Sequence, residues 1–360
     1  MSFGLLDRDT TTTPGVSTPT ITLSFGGGGG GGLAGLTPDI GPFGGSESLE
    51  TGLLSLEISR GFAPFVDWAD IVLRPPDGSG TAPALGETGS VGITLGAHDT
   101  TFSGTIDSLE HRADGTVRLG LGNGSRLLAQ ARHDASFAEM TAADIIAALC
   151  AEAGVDADVS GGATLPRYFA DGGLSVLDHV ARLAASMGRL ACLSDDGVLT
   201  LTDDTSGGEE IALSAGDAIL SAELTDRAAP AGVQITGAGA SEWAWLRKDA
   251  GPLQATAGAA PQRSTPAAWL RDTAAVQTYA EARGRAVARD ASPGHLVLAA
   301  YPNAQPGVIL ALSGTALDGA WRVMASTIRF DATEGFRNAV RLARAEDGAG
   351  ALGLGLGGML

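Results

Sequence analysis

The sequence is poor in the residues that carry most metal, redox and nucleic-acid chemistry. It holds two cysteines, Cys150 and Cys192, whose separation fits neither a metal site nor a redox motif. Both stand among apolar neighbours, which predicts buried free thiols, as in an intracellular protein. Lysine occurs once, as Lys248, and the arginines are scattered through a chain of formal net charge −18. Because phosphate neutralisation needs clustered cations, this composition predicts no direct nucleic-acid binding.

Long hydrophobic runs are also missing. No apolar stretch approaches the roughly 20 residues that span a bilayer, so no stable membrane insertion is predicted. Residues 1–19 are polar and rich in threonine, unlike a signal peptide. The sequence therefore predicts a protein that is made in the cytoplasm and stays soluble.

Histidine pairs at metal-ligand spacing are absent as well. The five histidines are His98, His111, His133, His179 and His295. None has a second histidine two to five residues away, so no metal site is predicted. His179 follows Asp178 on a predicted helix, where sequence neighbours face different directions. We therefore interpret His179 as a helix-surface or capping-turn residue rather than a general base.

The sequence also contains no complete motif for catalysis by a serine nucleophile or by paired carboxylates. The segment 122–125, Gly-Asn-Gly-Ser, is half of a nucleophile motif and is predicted to lie in a hairpin turn. Acidic pairs at 195–196, 203–204 and 209–210 fall in predicted turns, where aspartate makes local hydrogen bonds. Trp243, Trp245 and Trp269 suit a sugar-stacking platform or packing in a core or interface, and we favour packing. We predict no enzyme and no catalytic, cofactor-binding or metal residues.

Glycine marks the N-terminal part of the chain as separate from the rest. Residues 1–47 are predicted to form a flexible, glycine-rich arm in which 21–25 favours a strand. Seven consecutive glycines at 26–32 suggest a phosphate-binding loop, but neither Gly-Lys-Ser/Thr nor a helix follows them. A flexible linker is the better interpretation.

Alternation of apolar and polar residues predicts a first β-barrel domain over 48–135. Leu54, Leu56 and Ile58 share one face of a strand. Further short strands are predicted at 70–73, 90–95, 101–106, 117–121 and 125–129. Such strands, separated by turn sequences, are typical of a closed barrel or a sandwich.

A small α+β connecting unit is predicted over 136–205. Each of its two helices begins with a capping box, Thr141 with Asp144 and Ser175 with Asp178. The first helix spans about 141–153 and the second ends before Gly188, with Leu183 on its apolar face. Strands at 190–193 and 198–201 around an Asp-Asp-Gly turn predict a hairpin.

The second half of the chain returns to strand patterns. Residues 206–290 are predicted as a mixed region, with strands over 211–224, loop-like sequence over 243–269 and a helix over 272–290. Strands at 295–300, 308–312, 321–330 and 337–342 predict a second β-barrel domain over 291–347, followed by an apolar, glycine-rich tail at 348–360. The predicted fold class is mainly β with an α+β insert, two tube-like β-barrel domains flanking a helix-plus-hairpin unit.

Two segments carry a family resemblance. The first segment, 168–202, contains an aromatic residue, a capped helix, a closing glycine and a hairpin turn. The residues at these places are Tyr168, Ser175, Asp178, Leu183, Ala184, Gly188 and Asp196-Gly197. Over 306–342, a Pro-Gly turn, a strand, a glycine and two further strands follow a helix. These segments resemble the phage late-control protein D and baseplate hub family, which is shared with the hub portion of type VI secretion spike proteins. One departure is His179-Val180, which replaces the family's usual aromatic residue.

The resemblance covers most of the chain and implies a structural baseplate hub of a contractile tail or injection machine. Such hubs are homotrimers with two similar β-barrels per chain. Their pseudo-sixfold ring adapts the sixfold tail tube to the threefold central spike. The implied partners are further copies of the chain, the tail tube protein, a separate spike protein, baseplate wedge proteins and a tape measure protein. The implied destination is a virion tail or injection-particle baseplate, where an acidic lumen would pass DNA without retaining it.

Two other functions stay open at this point. One is a tail-associated carbohydrate-binding or cell-wall-hydrolysing protein, for which the tryptophans and acidic pairs are the only indications. The other is an unrelated β-rich assembly protein.

Overall fold

The computed structural model describes residues 19–25, 52–74, 83–205, 208–238, 252–260 and 262–345. The helices in these residues are α1 (Gly124–Gln130), α2 (Ala142–Glu152), α3 (Val176–Ser186) and α4 (Thr273–Ala291). The strands are β1 (Thr20–Phe25), β2 (Leu53–Gly61), β3 (Trp68–Leu73), β4 (Thr88–Leu95), β5 (His98–His111), β6 (Val117–Gly122), β7 (Ala135–Thr141), β8 (Ala157–Asp158), β9 (Thr164–Ala170), β10 (Arg189–Leu193), β11 (Leu199–Asp203), β12 (Glu210–Ser214), β13 (Ile219–Leu224), β14 (Gly232–Gly237), β15 (Leu253–Gly258), β16 (Gln262–Ala267), β17 (Gly294–Leu298), β18 (Ile309–Ser313), β19 (Gly319–Asp331) and β20 (Gly335–Arg344).

A twelve-stranded sheet makes up most of the fold. Its strand order is β1-β4-β5-β6-β3-β2-β19-β20-β17-β13, with β18 also pairing with β19 and β12 beside β18. The N-terminal part of β19 pairs with β18 and the C-terminal part pairs with β2, while β20 follows β19 along nearly its whole length. The long β19–β20 hairpin is therefore shared by two groups of strands.

Each group of strands encloses its own hydrophobic core. The first core is built from β1 to β6 and is completed by Ile328, Phe330 and Phe336 of the hairpin. The second core is built from β12, β13, β17 and β18, and Trp321 at the other end of the hairpin is its largest buried side chain. The two cores take side chains from opposite ends of the hairpin: Phe336, near its turn, lies in the first core, and Val340 and Leu342, farther along β20, lie in the second.

The predicted fold class, mainly β with a helix-plus-hairpin unit between two β-barrel regions, is confirmed. The strand predicted at 21–25 is β1, which buries Ile21, Leu23 and Phe25 and exposes the polar residues between them. The strands predicted at 70–73, 90–95, 101–106, 117–121, 295–300, 308–312, 321–330 and 337–342 are confirmed in the same way. The domain boundaries stay a prediction, since the shared hairpin leaves no position at which the large sheet divides.

The two predicted capping boxes are present and explain where α2 and α3 begin. The Thr141 hydroxyl accepts from the Asp144 backbone N–H at 3.1 Å, and the Asp144 carboxylate accepts from the Thr141 N–H at 3.4 Å. Ser175 and Asp178 make the same exchange at 3.0 and 3.1 Å. A cap of this kind stabilises a helix by about 1 kcal/mol. Past α3, Gly188 has φ of +70°, the left-handed conformation that closes a helix.

Three predictions of local structure are wrong. Residues 125–129 form helix α1 instead of a strand, because the Asn123 side chain accepts from the Ser125 N–H at 3.0 Å and caps a helix there. The segment 122–125 is thus the end of β6 and a helix cap, not a hairpin turn. Within the loop-like prediction at 243–269, β15 and β16 flank β14 in a three-stranded sheet. Their β propensity is low, and packing of β14 and β15 on α4 supplies the stabilisation that the local sequence does not show.

Some predictions concern residues outside the described ranges. The glycine run at 26–32, Trp243, Trp245 and the tail at 348–360 lie there. Among the described helices, none combines the length and the apolar composition that crossing a bilayer requires.

Candidate functional site

The strands at the two ends of the main strand order, β1 and β13, are candidate assembly surfaces of the large sheet. Within the described residues β1 pairs only with β4, and β13 pairs only with β17. An edge strand presents a row of unpaired N–H and C=O groups to any chain that approaches it. On β13 the side chains of Leu220 and Leu224 are 56% and 38% exposed. Exposed leucines on an open edge are typical of a surface that another polypeptide covers.

Small hydroxyl residues cover the outer face of the sheet beside β1. Thr22 lies opposite Gly92, which lies opposite Thr101, and Ser24 lies opposite Ser90 in the next row. These partly or fully exposed positions carry no charge, in a chain with 41 acidic residues. A flat face of small side chains allows another surface to come close to the backbone.

An acidic turn holds the α+β unit against the first group of strands. Asp195, at the tip of the β10–β11 hairpin, forms an ion pair with Arg60 of β2 and accepts from the Thr101 N–H of β5 at 3.3 Å. The Arg60 guanidinium also donates to the Thr101 carbonyl and lies 5.4 Å from the ring centroid of Phe102. The sequence predicted local hydrogen bonds for this aspartate. The structure shows contacts to distant strands instead, which fix the position of the hairpin.

A buried carboxylate, that of Asp67, lies between the start of β3 and α1. Asp67 is 2% exposed and accepts from the Gly61 N–H at 3.0 Å and from Asn123 Nδ2 at 3.1 Å. Its own N–H donates to the Ser125 hydroxyl at 2.8 Å. Ser125 is 1% exposed, and its hydroxyl donates to Asn123 Oδ1 at 2.6 Å. This geometry links β3 to α1 and gives Ser125 a structural role rather than that of a nucleophile.

Burial raises the pKa of Asp67 to about 6, although its hydrogen bonds oppose the rise. The folded chain therefore holds a proton that the unfolded chain releases between pH 3.8 and about 6, so this contribution to stability is lost as pH rises through that window. A shift of about two pKa units is worth about 3 kcal/mol. As the pH rises from 4 to 7, we expect the free energy of unfolding of Asp67→Asn to increase by up to that amount relative to that of the natural chain. Urea unfolding of both proteins at the two pH values measures it, and an equal difference at both would contradict the assignment.

His179 is the residue whose environment differs most from its prediction. It is 1% exposed, so its interpretation as a helix-surface residue is wrong. Its Nε2 lies 3.2 Å from the Asp171 carbonyl, which can only accept, so Nε2 carries the proton and Nδ1 accepts from the Tyr168 hydroxyl at 2.7 Å. Burial lowers the pKa of His179 and keeps it neutral at pH 7. His179 thus satisfies a buried tyrosine from a position where the resembling family has an aromatic residue.

A third buried cluster centres on Asp204, whose side chain is 2% exposed. Its carboxylate accepts from Arg285 Nε at 2.9 Å and from Arg289 Nη1 at 2.5 Å, both on α4. Arg322 of β19 donates to the Asp203 carbonyl at 2.6 Å. The prediction of local turn hydrogen bonds is therefore wrong for Asp204, which joins the β10–β11 hairpin to α4. Burial lowers the pKa of Arg289, and the neighbouring Asp204 opposes that effect.

A cavity of about 650 Å³ opens beside this cluster. Four arginines line it, Arg285, Arg289, Arg322 and Arg344, and we call it the arginine pocket. Its remaining wall consists largely of small residues of β14, β15 and α4.

The other candidate residues take structural positions. His133 lies 3.3 Å from Glu152, and the ring centroid of His98 lies 5.3 Å from that of Tyr301. Cys150 is a buried free thiol, as predicted, and Cys192 is a half-buried one. No group of three or more histidine, cysteine or acidic side chains that could hold a metal ion occurs among the described residues.

Trp269 is the one tryptophan of the proposed sugar platform that lies among the described residues. Its ring meets those of Tyr168 and Tyr279 edge to face, each at 5.6 Å between centroids. This packing against the core of the α+β unit confirms the interpretation that we favoured for it.

Comparison with solved structures places this geometry among known folds. A tail protein from Neisseria meningitidis MC58 superposes with a TM-score of 0.65 at 16% identity, over 92% of this chain and 97% of that one. The 43 kDa tail protein of prophage MuSo2 from Shewanella oneidensis gives 0.64 at 15% identity, over 91% and 99%.

A third likeness extends beyond phage proteins. The c3393 protein of E. coli gives a TM-score of 0.56 at 15% identity, over 82% of this chain and 74% of that one. It is described as a component of the type VI secretion system, similar in structure to the T4 bacteriophage tail proteins gp27 and gp5. Neither the family models nor the curated proteins compared with the sequence give a match. The chain thus has the fold of these phage tail proteins and of the type VI secretion component, as the resemblance in its sequence indicated.

Proposed function

We propose that the chain is a structural baseplate hub protein of a contractile tail or injection machine and that it works as a homotrimer. The observation that carries this proposal is the pair of β cores built around one shared hairpin. Three copies would present six β units toward a sixfold tail tube, while the trimer itself keeps threefold symmetry toward a spike. The fold shared with phage tail proteins supports the same function.

The open sheet edges support ring formation. β1 and β13 lie at opposite ends of the strand order, so an edge of one copy can meet a different edge of the next. Head-to-tail contacts of this kind close into a ring when the rotation between copies is right. The uncharged face beside β1 and the exposed leucines on β13 suit such contacts.

The role is mechanical rather than catalytic. Two polar clusters fix the α+β unit to its neighbours: Asp195 binds Arg60 of β2, and Asp204 binds Arg285 and Arg289 of α4. A rigid protomer suits an adaptor that bears load during contraction. The proposed partners are the tail tube protein, a separate central spike protein, baseplate wedge proteins and a tape measure protein. The proposed location is the virion tail or particle baseplate, after synthesis in the bacterial cytoplasm.

Oligomeric mass tests the proposal. At micromolar concentration we expect light scattering coupled to size exclusion to give three times the mass of the chain. Leu220→Lys with Leu224→Lys should release monomers, because lysine on an edge strand opposes pairing. Both side chains are exposed in the protomer, so each released monomer should keep its fold, which circular dichroism verifies.

Phe169→Lys is the matched control, since Phe169 is 59% exposed and lies on β9, which pairs with β7 outside the large sheet. It should leave the trimer intact. A strictly monomeric natural chain would refute the hub proposal. A trimer that survives the β13 substitutions would refute only the role of that edge.

A further inference from the structure

The arginine pocket concentrates positive charge in an acidic protein. Four arginines line it against two carboxylates, those of Asp204 and Asp226, whereas the whole chain has a net charge of −18. Both carboxylates already have partners: Asp204 binds two of the arginines, and Asp226 accepts from the Ser292 hydroxyl at 2.7 Å. Arg285 and Arg289 share the single carboxylate of Asp204, and Arg344 adds a further positive charge, so the lining keeps an excess of positive charge. An anionic ligand would balance that charge.

Three of the four arginines are held in place before any ligand arrives. Arg322 is 4% exposed and donates to the Asp203 carbonyl, and Arg285 and Arg289 are fixed by Asp204. The Arg344 guanidinium lies 5.3 Å from the ring centroid of Trp321. A planar guanidinium matches the two oxygens of a carboxylate or phosphate, and preorganised side chains lose little freedom on binding.

The shape of the pocket distinguishes between anions. A cavity of about 650 Å³ is far larger than one inorganic ion needs and falls in the range that accepts a compact organic ligand. Small apolar side chains, among them Ala231, Ala257 and Ala288, line the wall beside the arginines. Such a wall leaves room for a peptide backbone whose acidic side chains reach the guanidinium groups.

We propose that the arginine pocket binds a short acidic segment of a partner polypeptide through its carboxylates. This inference goes beyond the proposed hub function, because it assigns a ligand to the pocket, although Leu224 of the β13 edge also lines it. It assigns a recognition site to the region where α4, β14 and the end of the β19–β20 hairpin meet.

Calorimetric titration of the full chain tests the proposal at constant ionic strength. The probe is a capped tetraglutamate peptide, with capped tetraglutamine, inorganic phosphate and a short single-stranded oligothymidylate in parallel. We expect saturable binding of tetraglutamate, none of tetraglutamine, and weaker binding of the other two. Phosphate or the oligonucleotide binding more tightly than tetraglutamate would overturn the choice of a polypeptide ligand, as would the absence of saturable tetraglutamate binding.

Arginine variants locate the binding. Arg344→Gln should weaken tetraglutamate binding by about tenfold or more, because one charge-assisted contact is lost. Arg344 is exposed, so the fold should be kept, which a thermal melt verifies. Arg337→Gln, at the other end of β20, is the matched control and should bind as the natural chain does. Equal affinities of both variants would place the binding outside the pocket.

The chain's own acidic residues provide a competing occupant. Glu346 and Asp347 follow the pocket-lining Ala345 directly in sequence. If the double variant Glu346→Gln and Asp347→Asn binds tetraglutamate about tenfold more tightly than the natural chain, these residues occupy the pocket and the partner assignment is wrong. Unchanged affinity supports a partner polypeptide.

Discussion

Asp204→Ala is expected to lower the free energy of unfolding by about 3–5 kcal/mol. The Asp204 side chain is 2% exposed and binds Arg285 and Arg289, which are themselves largely buried. Removing the carboxylate leaves buried guanidinium groups facing each other without compensation, and this costs more than the loss of an exposed ion pair. Urea unfolding at pH 7, followed by circular dichroism, measures the difference.

Asp203 next to it supplies the control. Its side chain is 54% exposed and pairs with Arg189 at 3.0 Å. An exposed pair of this kind contributes about 0–1 kcal/mol, so Asp203→Ala should unfold almost as the natural chain does. Equal losses from both substitutions would show that the Asp204 cluster is not what joins the hairpin to α4.

Leu183→Asp is expected to unfold the α+β unit. Leu183 is fully buried on α3, in a core shared with α2, α4 and β14. An unpaired carboxylate in that position costs several kcal/mol, a large share of the stability of a domain. Thermal melting and limited proteolysis within 136–205 report the loss. Ala151→Asp, at an exposed position on α2, should leave both nearly unchanged. If Leu183→Asp melted like the natural chain, the apolar face of α3 would not be core.

Local chemistry made α2 and α3 predictable. Their capping boxes use side chains three residues apart, so every partner is visible in a short window of sequence. Helix α1 was missed because its cap, Asn123, stands between two glycines in a pattern that equally suits a turn. β15 and β16 were missed because their stabilisation comes from packing with β14 and α4, and no local pattern records it.

The candidate sites were harder to predict from the sequence than the helices, because they are formed by residues far apart in the chain. Nothing near Asp204 in the sequence indicates that its partners stand on a helix more than 80 residues later. The burial of His179 had one available signal. His179 stands three residues after Val176 and four before Leu183, so helical spacing places it on the apolar face of α3. The two β cores were visible as alternating strands, but their common hairpin was not.

That hairpin also sets the order in which the molecule can be made. The hydroxyls of Ser59 on β2 and Thr327 on β19 lie 3.0 Å apart, although 268 positions separate them in the chain. The core of strands β2 to β6, which are synthesised early, is therefore completed only when β19 and β20 have been synthesised. Until the hairpin is made, the first core lacks Ile328, Phe330 and Phe336, and the second lacks Trp321 and Val323. Truncation before β19 therefore leaves both cores incomplete.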